Sequence, residues 1–191
     1  MIKIKSPGLW TTVQDMGRVG NYHLGVPSSG AADKYSFIIG NLLVGNPIKF
    51  AALEMTLIGG EMEFRKNTIV ALTGAPMKAY LNQQLVPFWE TIQVKQGDTL
   101  TIKKCVKGVK SYLCVSGGIQ VDEVFGSKST YETSKIGGFQ GRKLAAGDEV
   151  MINEPLPGAL KQVGKSVPLE FTPSFDSFQE LRVTLGCLAI Y

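Results

Sequence analysis

The chain has 191 residues, about 1.3 domains at roughly 150 residues each, and its 44% hydrophobic and 19% charged content excludes wholesale disorder. Twenty basic against 16 acidic residues leave a formal charge of +4, too mild for a nucleic-acid reader in a chain with no basic patch carrying exposed aromatics. Glycine is in excess: there are 22, where average usage of about 7% would give about 13, and they sit singly or in pairs between apolar runs, as turns do in a β-rich protein.

Ile2 and Ile4 alternate with Lys3 and Lys5, which predicts a first strand. Tyr35, Ile38, Ile39, Leu42 and Leu43 fall at i, i+3, i+4, i+7 and i+8 and predict a helix with one apolar stripe toward the core. Ser28 or Ser29 would cap it, Asp33 would lie in its first turn, and Gly45 with Asn46-Pro47 would stop it. Ile69–Leu72 reads as a short strand. Ile92 and Val94, then Leu100 and Ile102, alternate around Gln96-Gly97-Asp98 and predict a β-hairpin, with the lysines between Lys95 and Lys110 on its solvated face. Tyr112–Val115, bounded by Gly117-Gly118, reads as a buried strand. Val121–Phe125 reads as a helical turn, and Val150–Ile152 as a strand after the Gly147-Asp148 turn. Pro155, Pro157, Pro168 and Pro173 then mark an extended linker, and Leu181–Leu185 reads as a new strand. The expected organisation is one domain over 1–154, a Pro-rich linker over 155–180 and a stub of a second domain over 181–191.

Cys105, Cys114 and Cys187 form no C-x-x-C, and with His23 as the single histidine the donor set for a structural zinc is nearly absent. The start MIKIKSPG is not an apolar signal segment and no run of about 18 apolar residues occurs, so the expectation is a cytoplasmic protein with reduced thiols and no membrane contact. Gly126-Ser127-Lys128-Ser129-Thr130 lacks the order of a phosphate loop, and there is no G-x-S-x-G elbow. Pro76-Met77-Lys78-Ala79 is too short a match to read Lys78 as a biotin-attachment site.

Polar residues cluster in three Gly-flanked segments, the kind of loop on which a rigid scaffold carries function. The first runs from Thr11 through Gln14, Asp15 and Arg18 to Ser29 and Asp33. The second joins Asn41 to Asn46 with Glu54-Met55-Thr56, and the third joins Gly126 to Thr130 with Gly137 to Arg142. Each has a structural alternative. Asp15 and Arg18 can pair across a turn, Ser29 and Asp33 can cap the helix, and Asn41 and Asn46 can tie down backbone. Glu54, inside an apolar run, is either buried against a partner such as Arg18 or Arg142 or faces a pocket. His23 reads as loop surface rather than a catalytic base.

Together these segments, with Leu72-Thr73-Gly74-Ala75, Ser116-Gly117-Gly118-Ile119 and Gly147-Asp148, resemble the allophanate hydrolase subunit 2 or KipI-antagonist (KipA) family, whose bacterial members are mostly the C component of ATP-dependent 5-oxoprolinase. The resemblance implies a mainly β, cyclophilin-like β-barrel with one or two helices. It also implies two partners, a KipI-like B component and a larger A component, and the opening of a small lactam, 5-oxoproline, to glutamate with ATP used by the whole complex; no metal or bound biotin is evident. In that reading Asp15, Arg18, Glu54 and Arg142 are the expected catalytic residues, with Arg18, Arg142 and loop amides stabilising an anion. Gln14, Ser29, Asp33, Asn41, Ser127 and Ser129 are the expected substrate-binding residues. Two other activities go with the same resemblance: a non-catalytic antagonist of a KipI-like kinase inhibitor, and a carboxyltransferase acting on a urea-like substrate. Members usually continue through a second domain, so the expectation for 191 residues is a truncated or frame-shifted product that is inactive alone.

Overall fold

The computed structural model describes residues 1–175, 180, 183 and 184. It is built mainly of strands: β1 (Ile2–Ser6), β2 (Trp10–Gln14), β3 (Ala52–Thr56), β4 (Glu61–Phe64), β5 (Thr68–Gly74), β6 (Met77–Leu81), β7 (Gln84–Val86), β8 (Thr91–Val94), β9 (Thr99–Cys105), β10 (Lys110–Val115) and β11 (Glu149–Val150). A single α-helix among the described residues, α1 (Lys34–Leu43), joins β2 to β3. The strands form two antiparallel sheets, ordered β11-β1-β4-β9-β6-β7 and β2-β3-β10-β5-β8. No ladder joins the sheets among the described residues, so the hydrogen bonding forms two sheets rather than the expected closed barrel. Alternation explains why they pack. Ile2, Ile4, Met62, Phe64, Leu100 and Ile102 of the first sheet meet Val13, Leu53, Met55, Val70, Leu72 and Leu113 of the second in one buried cluster. Each such side chain contributes about 1.5–3 kcal/mol by leaving water.

The expected hairpin is not one. The turn exists: Lys95 N donates to Asp98 Oδ2 at 2.8 Å and Asp98 N to Lys95 O at 3.1 Å. Its strands part, however, β8 pairing with β5 and β9 with β4 and β6. Gly97 N donates to Phe64 O at 2.8 Å and Phe64 N to Asp98 O at 2.9 Å, so the turn is stitched to the end of β4 and hands the chain from one sheet to the other. Alternation tells which face is buried, not which strand lies alongside.

The helix occurs where expected but turns a different face to the sheet. Ser36, Phe37, Gly40 and Asn41 are its buried residues, packed on the outer face of the second sheet. Tyr35 and Leu42, from the expected stripe, are 45% and 52% exposed. Close approach decides this: a Cβ on Gly40 would lie 2.7 Å from Cys114 Sγ and 2.8 Å from Thr73 Oγ1. The apolar stripe instead lines a groove with residues 162–171, where Tyr35 Oη donates to Phe171 O at 2.6 Å. Asp33 is itself the N-cap, accepting from Ser36 N at 3.0 Å. The helical turn expected at 121–125 is absent; Val124 and Ser127 form a bridge there.

After Glu154 the chain runs along the second sheet. Thr91 N donates to Lys165 O at 2.9 Å, Val167 N to Trp89 O at 2.9 Å, and short 3₁₀ turns cover Ala159–Gln162 and Leu169–Phe171. The strand expected over 181–185 and the stub over 181–191 lie outside the described residues apart from Val183 and Thr184. No helix among the described residues is long and apolar enough to cross a membrane.

Candidate functional site

The first and third Gly-flanked segments converge on Asp15, at the end of β2. Its carboxylate is buried and accepts four hydrogen bonds. Ser127 Oγ (2.6 Å), Ser129 Oγ (2.5 Å) and Gly17 N (2.8 Å) donate to Oδ1, and Lys128 N donates to Oδ2 at 2.6 Å. Burial alone would raise its pKa, but these four donors outweigh burial and hold the carboxyl below its ordinary range. Asp15 thus ties loop 15–18 to loop 127–129.

Arg18 completes the tie. Only 1% exposed, it reaches Ser29 Oγ from Nη1 at 3.1 Å, Ser129 O from Nη2 and Val124 O from Nε at 3.4 Å. Burial lowers its pKa and the nearby Asp15 charge works against that. Gln14 lies beside this cluster, donating to Thr12 Oγ1 at 3.0 Å and Thr130 O at 3.3 Å. Its buried Oε1 has no partner among the described residues.

Glu54 pairs with neither arginine. Register places Thr12, Glu54 and Tyr112 side by side across β2, β3 and β10 on the face that carries α1. Glu54 Oε1 accepts from Lys110 Nζ at 2.7 Å, and Oε2 accepts from Tyr112 Oη at 2.8 Å and Ala32 N at 2.9 Å. Tyr112 Oη in turn accepts from Asp33 N at 2.8 Å. Burial, then the adjacent Glu54 charge, pushes the Tyr112 phenol well above its ordinary range, so it stays a donor. Glu54 therefore fastens the segment leading into the helix onto the sheet.

Asn41 and Asn46 fasten its other end. Asn41 Nδ2 donates to Phe50 O at 3.0 Å, its Oδ1 accepts from Asn46 Nδ2 at 2.9 Å, and Asn46 Oδ1 accepts from Gly117 N at 2.8 Å. Arg142 stands apart. Asp148 clasps it with two hydrogen bonds, of 2.7 and 2.9 Å, which raise the Arg142 pKa and lower that of Asp148. Its guanidinium also lies 5.2 Å from the Phe139 ring centre.

The structure thus brings Gln14, Asp15, Arg18, Ser29, Ser127 and Ser129 together, holds Glu54 with Asp33 and Asn41 around the helix, and leaves Arg142 elsewhere. Beside Asp15 lies a cleft of about 180 Å³ lined by Asp15, Met16, Gly17, Lys49, Phe50, Glu123, Gly126 and Lys128. Sequence reasoning missed Lys49, Lys128, Lys110 and Tyr112. The β10 alternation puts Lys110 and Tyr112 on one face but does not name Glu54's strand as the neighbour; Lys128 lay within the Gly126–Thr130 segment singled out from the sequence, and no pattern marks Lys49.

The site is thus a loop cluster organised by a buried aspartate at one end of two antiparallel sheets with one helix. The match to the model for the carboxyltransferase domain, subdomain A and B, covers residues 24–189, and the chain belongs to that family. It is 41% identical over 164 residues to the C component of 5-oxoprolinase from Escherichia coli, covering 86% of this chain and 53% of that protein. It is 38% identical over 192 residues to urea amidolyase of Lachancea kluyveri, covering 97% of this chain and 10% of that protein. The crystal structure of K. lactis urea amidolyase superposes with a TM-score of 0.85 at 35% identity, over 92% of this chain and 11% of that one. The chain therefore spans about half the length of the bacterial relative and about a tenth of the amidolyases.

Proposed function

We propose that this chain is the C component of an ATP-dependent 5-oxoprolinase, acting with the A and B components to open 5-oxoproline to glutamate. The observation that carries the reading is the 41% identity to the bacterial C component through 86% of the chain. An unstrained lactam resists water, and ATP supplies its activation in the whole complex. The groups expected to stabilise an anion are not free for a phosphate: the amides of Gly17 and Lys128 are spent on Asp15, Arg18 is buried among neutral acceptors, and Arg142 is held by Asp148. In this reading the nucleotide is used by the whole complex, and this chain's part is to hold and orient the lactam on loops made rigid by Asp15, Arg18 and Glu54. In this role Asp15, Arg18 and Glu54 act by positioning.

A second reading, transfer of a carboxyl group to a urea-like acceptor, is favoured by the match to urea amidolyase through 97% of the chain and by the TM-score of 0.85. One reconstitution separates the two. The chain is mixed with its A and B partners, and ATP hydrolysis and glutamate release are followed with and without 5-oxoproline. Lactam-dependent ATP hydrolysis with glutamate release is the expected result. No glutamate from the mixture, together with urea-dependent decarboxylation of a carboxylated biotin carrier, would overturn the first reading in favour of the second.

A further inference from the structure

Two of the larger clefts among the described residues are apolar. One runs between Asn67–Ile69 and Pro155–Lys161, the other beneath the outer stripe of α1, and neither gathers groups that would recognise a particular ligand. The small cleft beside Asp15 is different in kind. Three loops build it, and each is fixed by residues described above. Asn41 accepts and donates around the 47–50 turn, where Phe50 N also donates to Pro47 O at 3.1 Å, and so sets the place of Lys49. Asp15 grips Ser127, Lys128 N and Ser129 and so sets the place of Lys128. Between them, Phe125 and Gly126 form the two-residue tip of a bridge, with φ of +53° and +74°. A phenylalanine held in the left-handed region is strained, and such strain gathers at ligand sites.

The charges at the cleft are unequal in availability. The Asp15 carboxylate is saturated by its four donors. Neither the Lys49 nor the Lys128 ammonium has a hydrogen bond or ion pair among the described residues, and Glu123 is exposed at the same cleft. Apart from the saturated Asp15, the lining of the cleft thus carries two ammonium groups and one carboxylate with no ion pair between them among the described residues, a net positive set. At about 180 Å³ the space is below the roughly 300–1,000 Å³ of pockets for drug-sized ligands, which selects a small molecule.

We infer that this cleft binds a small monocarboxylate that also carries an amide N–H, with Lys49 and Lys128 holding the carboxylate and Glu123 accepting the N–H. A cyclic lactam acid such as 5-oxoproline has both groups. The inference rests on the proposed function for the identity of the ligand, but not for the chemistry of the site.

The test is calorimetric titration of the full chain with 5-oxoproline, with 2-pyrrolidinone, which lacks the carboxylate, and with cyclopentanecarboxylate, which lacks the amide. Wild-type chain should bind 5-oxoproline and bind each partial analogue at least about tenfold more weakly, the size of one lost charge-assisted hydrogen bond. The Lys49→Gln/Lys128→Gln double variant should weaken 5-oxoproline binding by at least about tenfold. Lys49→Arg/Lys128→Arg should largely restore it, and Lys95→Gln should change nothing. The Lys128 substitutions keep the backbone N–H on Asp15, and thermal melts verify that each variant is folded. No saturable binding by wild type, or equal binding by the Gln and Arg double variants, overturns the site. Binding that follows this pattern in a chain whose reconstituted complex releases no glutamate leaves the site standing and refutes the 5-oxoprolinase reading alone.

Discussion

Asp15→Ala removes one small side chain and leaves four donors facing a gap. Hydrogen bonds to a charged acceptor contribute about 1.5–3 kcal/mol each when all partners stay buried, an upper bound of roughly 6–12 kcal/mol for the set. The true cost is lower. Gly17 and Lys128 are only half-buried, so their amides can take water, whereas Ser127 and Ser129 are 1% and 0% exposed and their hydroxyls have little solvent to turn to. Two buried hydroxyls without their acceptor, together with the released grip on Arg18's neighbour Ser129, give about 3–5 kcal/mol. With a urea slope near 2 kcal/mol/M, the unfolding midpoint should fall by about 2 M. The assay is equilibrium urea unfolding followed by far-UV circular dichroism and by the fluorescence of Trp10 and Trp89. Asp148→Ala is the comparison: it removes a half-buried carboxylate whose donors, Arg142 and the exposed Ala145, can turn to water, and should cost less, about 1–2 kcal/mol. A loss below about 1 kcal/mol for Asp15→Ala, at unchanged slope, would refute the account of the carboxylate as the tie between the two loops.

Two further outcomes follow from the same geometry. Gly40→Ala improves helix propensity by about 1 kcal/mol but drives a methyl group to within 2.8 Å of Cys114 Sγ and Thr73 Oγ1; overpacking of about 1–3 kcal/mol should win, seen as a lower Tm. Asp15 and Asp148 both have folded pKa values below their unfolded ones, so their stabilisation is complete above an unfolded value of about 3.9 and is lost as pH falls through the lowered folded values. Urea midpoints measured from pH 7 to pH 2 should therefore drop below about pH 4, and Asp15→Asn should flatten that drop; an equally steep fall in the variant would exclude Asp15 as a source.

Period-two alternation located β1, whose exposed face carries lysines, while β5 and β10 were legible as short apolar runs because both of their faces are buried. It could not say that β8 and β9 lie in opposite sheets, since neighbour choice depends on strands far away in the chain. The helix was legible in place but not in orientation. Part of its apolar stripe lines an open groove with residues 162–171 while the close fit against the sheet is made by Ser36, Gly40 and Asn41, so hydrophobicity marked the looser of two contacts. Among the polar loops, clustering of Gln14, Asp15, Arg18, Ser29, Ser127 and Ser129 was foreseeable from their glycine-flanked settings. Their saturation by one another was not, because it depends on distances between segments more than 100 residues apart. The same limit hid the partnership of Lys49 with Lys128, which lay in a flagged loop: only those ties place the two at one cleft.

The pairing of β1 with β11 and of Asp15 with Ser127–Ser129 also has a consequence for synthesis. Ile2 meets Val150, and Thr130 N closes on Val13 O. At roughly 5–20 residues per second, a ribosome needs about 7 to 30 s after making β1 to deliver β11. Throughout most of that interval the outer edge of β2 is unpaired backbone, and three of the four donors that will saturate Asp15 do not yet exist. Until then the nascent chain presents a temporary edge of the kind that can template pairing with another chain.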